Sequence, residues 1–179
     1  MRKQVDMIHG PLGGKIIKYT IPLAVTGILQ QLFNAADIAV VGRYAGKEAM
    51  AAVGSNSPVI GLLVNLFVGI SLGSNVVIAK SIGKDDKESV SGAVHTSVIV
   101  ALLGGLCITA LGELSAVHVV RLLGVPDDVF SMAVKYLRIY LLGMPVILLY
   151  NFDAAVFRSC GNTRTRLAAL LVSGFLNVF

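Results

Sequence analysis

Five long stretches of this chain carry almost no charge, and four of them are as long as a lipid bilayer is thick. Residues 19–41 are 23 residues with one charge, 58–79 are 22 with none, 92–112 are 21 with none, and 139–157 are 19 with one. A helix needs about 20 mostly apolar residues to cross the hydrocarbon core. Only 14% of the chain is charged, against about 25% in soluble domains. With a mean hydropathy of +0.80, a soluble globular fold is excluded. In lipid every backbone polar group must be satisfied internally, and runs of this length do so as helices. The reading is an all-α polytopic membrane protein with spans at about 19–41, 58–79, 92–112 and 139–157. The last run, from 167 to 179, has 13 residues, roughly 20 Å of helix at ~1.5 Å per residue. It reads as a fifth span cut short, and the chain as part of a longer protein.

The net charge of +5 raises the question of a nucleic-acid partner, which the distribution of cations answers. Arg2, Lys3, Lys15 and Lys18 precede span one, Lys80, Lys84 and Lys87 follow span two, and Arg158, Arg164 and Arg166 follow span four. Those ten face five on the other side, Arg43, Lys47, Arg121, Lys135 and Arg138. By the positive-inside rule the N-terminus is cytoplasmic, so the basic excess reports topology in a lipid bilayer and no nucleic acid is expected. The first apolar run is too long for a signal-peptide core and lacks a clear cleavage site, so it reads as a retained helix. Cys107 and Cys160 fall at depths too different for a disulfide.

Asp37 carries the strongest chemical signal, because it is the only charge in its span and an ionised carboxylate inside lipid costs several kcal/mol. Gln30, Asn34 and Asp37 are spaced i, i+4, i+7, which puts them on one helix face. Burial raises a carboxylate's pKa and a bound cation lowers it, the physical basis for exchanging H+ or Na+. In span four, Tyr150, Asn151 and Asp153 point different ways, and Asn151 is the cavity candidate, with Asp153 read as structural near the interface. Pro22 and Pro145 each remove a helix hydrogen bond and can kink spans one and four. Gly69 and Gly73, four apart, are read as close helix packing. Glu113 and His118 are placed at the outer surface by default, and His95 is read as a hydrogen-bonded interfacial residue. The sequence has no phosphate-binding loop, nucleophile and base, or metal-ligand pattern, so neither an enzyme nor an organic cofactor is expected, and no metal other than Na+ at Asp37.

The residues around that polar face resemble the multidrug and toxic compound extrusion (MATE) family of antiporters. The likeness runs from Pro22-Leu23 through Gln30-Gln31-Leu32-Phe33-Asn34-Ala35-Ala36-Asp37 to Gly42, and continues in Ala49 to Gly54 and Gly69 to Gly73. It extends through Tyr136-Leu137-Arg138-Ile139-Tyr140-Leu141-Leu142-Gly143-Met144-Pro145 and Arg158-Ser159-Cys160-Gly161-Asn162-Thr163. The resemblance implies a twelve-helix transporter of two six-helix lobes, of which this chain is a partial N-terminal lobe, in the plasma membrane of a prokaryotic cell. It implies alternating-access efflux of cationic or amphipathic drugs, small xenobiotics, in exchange for H+ or Na+, with the missing C-terminal lobe as the partner of this one. Carried over by position, Asp37 matches the coupling acid, Gln30, Tyr136 and Asn151 match cavity residues, and Pro22 matches a bending site. Asn177 matches an asparagine that neighbours the acid. The alternatives are a lipid-linked saccharide flippase of the same superfamily (the MOP flippases), which would be richer in cavity arginines to meet phosphate, and a non-transporting scaffold subunit.

Overall fold

The computed structural model describes residues 12–161 and 163–178, and all of the regular structure among them is helical. The helices are α1 (Leu12–Tyr44), α2 (Gly46–Gly83), α3 (Lys87–Leu122), α4 (Asp127–Leu142), α5 (Met144–Ser159) and α6 (Thr163–Val178). Arg2 and Lys3 lie outside the described residues. Over Ile16–Tyr44, and along α2 and α3, the helices are long and apolar enough to cross a membrane, and the bent pair α4 and α5 is so when taken together.

The helices outrun the apolar runs. At ~1.5 Å per residue the 38 residues of α2 extend roughly 57 Å, well past the ~30 Å hydrocarbon core. Residues 46–57, ahead of the second apolar run, are the first turns of α2. The turn between α2 and α3 is built by Asp86, whose carboxylate accepts from the Ser89 N–H (3.0 Å) and from the Ser89 hydroxyl (2.6 Å). This N-cap satisfies a backbone donor that the first helical turn cannot. Those bonds hold the Asp86 carboxyl below the ordinary aspartate range. After α3 the chain reverses through Gly124, whose φ of +67° an L side chain rarely adopts.

The fourth apolar run lies on two helices, which meet at Gly143 with a 49° bend, and the first of them begins at Asp127, twelve residues before the run does. α4 is amphipathic: Val129, Ala133, Leu137 and Leu141, spaced by four, are buried, while Lys135 and Arg138 are exposed. Those two charges end the apolar run without ending the helix. The break follows from Pro145, which has no N–H to give the carbonyl four residues back. The Gly143 N–H turns onto the Tyr140 carbonyl instead (3.0 Å).

The core lies between α2, α3, α4 and α5, around Phe67, Ala101, Leu137, Leu141, Met144, Leu148 and Phe152. Side-chain amides of α2 tie the bent pair down at both ends. Asn56, fully buried, donates to the Ala133 carbonyl of α4, and Asn75 donates to the Ala155 carbonyl of α5, each at 2.9 Å. α1 packs against α2 and α6, with Phe33 seated on Gly174. Among the described residues, nothing lies within 4 Å of where a Cβ on Gly69 or Gly73 would sit. The close approaches are made at Gly104, Gly105 and Gly112 of α3 and at Gly42 and Gly174.

Candidate ion and substrate site

The α1 helix presents Gln30 half-buried and Asn34 and Asp37 exposed, so the polar face is open in this chain rather than sealed in it. Asp37 is within electrostatic reach of the Tyr136 phenol of α4, without α1 packing on α4. Tyr136 in turn faces Tyr140 one helical turn on, with ring centroids 6.3 Å apart and planes tilted by 45°. The Asp37 carboxylate of α1 thus acts on one member of a pair of half-buried phenols on α4. A carboxylate offers only acceptors, while a phenol can donate and accept. The set can hold a proton, supply oxygens to a small cation, or stack an aromatic or cationic drug against a ring.

The other residues singled out from sequence are placed as follows. Asn151 is half-buried on α5, and its amide N–H donates to the Ile147 carbonyl of its own helix (2.9 Å). Asp153 is exposed. Pro22 lies inside α1, and the buried Thr26 hydroxyl donates to the Pro22 carbonyl at 2.7 Å, a back-bond of the kind that bends helices. Asn177 belongs to α6, and its side chain lies outside the described residues. Among the described residues no group of three or more His, Cys, Asp or Glu side chains converges. An open hollow along α1, walled by Ala24, Gly27, Ile28, Gln31 and Leu32, lies on the face away from Asp37.

Glu113 departs from its expected surface placement. It is partly buried and pairs with Arg138 of α4, Oε2 to Nε 3.6 Å, while its other oxygen is buried. His95 is exposed on α3 with Nδ1 2.8 Å from the Ser91 carbonyl. Sequence reasoning did not single out Asn56, Asn75 or Thr109. Their partners are backbone carbonyls on other helices, and nothing in a sequence marks a carbonyl as needing a donor.

The MatE family profile matches residues 22–179. The chain belongs to the MatE family. It is 29% identical over 160 residues to the probable multidrug resistance protein YoeA of Bacillus subtilis, covering 89% of this chain and 35% of that protein. To the probable multidrug resistance protein NorM of Thermotoga maritima it is 32% identical over 165 residues, covering 92% of this chain and 35% of the relative. The solved structure of a MOP superfamily transporter from Pyrococcus furiosus superposes with a TM-score of 0.90 at 28% identity, over 99% of this chain and 39% of the other. The chain thus spans little more than a third of the length of the relatives it matches. Their names are those of transporters and resistance proteins, not enzymes, and the membership accords with a multi-pass helical membrane protein.

Proposed function

We propose that this MatE chain acts as the N-terminal part of a two-lobed secondary transporter that exports cationic or amphipathic drugs in exchange for H+ or Na+. The observation that carries this reading is Asp37, the lone charge of its span, on the open polar face of α1 and within electrostatic reach of the Tyr136 phenol. The resistance proteins among its relatives support drugs as the cargo.

In this reading the N-terminus is cytoplasmic, in the plasma membrane of a prokaryotic cell, and the exposed face of α1 looks toward a second lobe. With the cavity open outward, Asp37 takes up a proton or Na+. As the carboxylate, Asp37 accepts hydrogen bonds and attracts a cationic drug, whereas as the neutral acid or ion pair it does neither as well. Cation uptake therefore favours drug release outward, and cation release to the cytoplasm restores the drug-binding form. Gln30, Asn34, Asn151 and Asn177 supply the neighbouring polar groups, and Pro22 with Thr26 supplies the site where α1 can bend. Exchange requires that the cation bind one access state better than the other, since equal affinity shifts no equilibrium.

The test is Asp37→Asn in the full-length protein that contains these residues. Asparagine keeps the shape and cannot take up a proton. Gradient-driven dye export should fall to background while the protein still reaches the membrane, and undiminished export would refute the proposal.

A further inference from the structure

The carbonyl that loses its i+4 donor at Pro145 is that of Leu141, four residues back. It is met from another helix: the Thr109 hydroxyl of α3 donates to it at 2.7 Å. One turn earlier on α3, Gly105 lies so close that a Cβ there would collide with the Pro145 backbone, with Pro145 N at 2.9 Å. Gly112, just beyond Thr109, takes the Leu141 side chain, 2.7 Å from the place of its own Cβ. α3 thus clasps the break through one hydroxyl and two glycines. Tyr140 is the residue before Leu141, and Tyr136 is a turn further up the same helix, so whatever fixes the Leu141 carbonyl fixes the direction in which α4 carries both phenols.

We propose that Thr109 is a positioning residue: by capping the Leu141 carbonyl, its hydroxyl sets the angle of the bend at Gly143 and with it the placement of Tyr136 and Tyr140. The inference rests on reading those phenols as part of the ion and drug site. In the absence of the hydroxyl the carbonyl is left in an apolar surrounding, and the last turn of α4 rotates or straightens to find a donor.

The experiment uses the full-length protein with Cys107→Ser and Cys160→Ser, spin-labelled at Ser131→Cys on α4 and Phe157→Cys on α5, both exposed positions. Thr109→Val, of the same shape without the hydroxyl, is expected to shift or broaden the distance between the labels. It should lower the maximal rate of ethidium export from vesicles with an imposed gradient about two- to tenfold, the range one hydrogen bond is worth. Thr109→Ser, which keeps the hydroxyl, should restore both. If Thr109→Val does not reach the membrane, Thr109→Ala, smaller and likewise without the hydroxyl, decides by the same distance and rate. An unchanged distance overturns the proposal, as does a changed distance with an unchanged rate, or a Thr109→Ser variant that rescues neither. If the unsubstituted protein moves no ethidium under any gradient, the functional reading is what fails, and the distances alone decide whether Thr109 sets the bend.

Discussion

Single atoms decide how closely α3 and the bent pair approach. At Gly105 the neighbour is backbone of Pro145, which cannot step aside, whereas at Gly112 the neighbour is the far end of the Leu141 side chain, which can rotate. Gly105→Ala should therefore destabilise the protein by about 1–3 kcal/mol, the cost of overpacking a fixed neighbour, and Gly112→Ala should cost clearly less. Thermal unfolding of the two variants in detergent checks the order, and equal losses would count against the clasp. Polar side chains act on the same principle of fixed partners. Asn56 and Asn75 reach carbonyls that already serve their own helices, so their bonds orient more than they stabilise, in line with the ~0.6 kcal/mol average for such bonds between membrane helices.

At the scale of the element, the turn between α2 and α3 depends on the charge of Asp86. Its carboxyl is held below the ordinary aspartate range in the folded state by the two Ser89 bonds, so the stability it gives is present above the unfolded value near 4 and is lost as pH falls through the folded value. The wild type should unfold at a higher temperature than Asp86→Ala at neutral pH, and the gap should close below about pH 4. A gap that persists at low pH would mean the cap acts without its charge. Elements also show what the sequence could and could not tell. Spans one to three were legible because an uncharged run needs only to be counted. The helix that leads into the fourth run was not legible from the run, because α4 buries one face only, and Lys135 and Arg138 on its exposed side interrupt the apolar sequence. The break was half legible: Pro145 marks it, but the donor that answers it, Thr109, sits 32 residues away in sequence. The Glu113 and Arg138 pair was hidden for a like reason, since each charge alone looks like surface.

Across the whole molecule, four of the helices form one packed unit while α1 lies on α2 and α6 with a single buried side chain among those described, Thr26. A polar helix face with so little of this chain over it is consistent with an element that works against a second lobe. Of the candidate site, the α1 face was legible because i, i+4, i+7 spacing is a property of the helix itself. Tyr136 entered only through the family resemblance, because which phenol the Asp37 charge reaches on another helix is a matter of tertiary structure. The central claim is that the Asp37 carboxylate couples cargo to cation. It is tested most directly by reconstituting the full-length protein in proteoliposomes and measuring H+ or Na+ flux on addition of a cationic dye, with and without Asp37→Asn. Dye addition should drive a counterflow of one of these cations in the wild type and none in the variant, and an equal dye-driven flux in both would contradict the account.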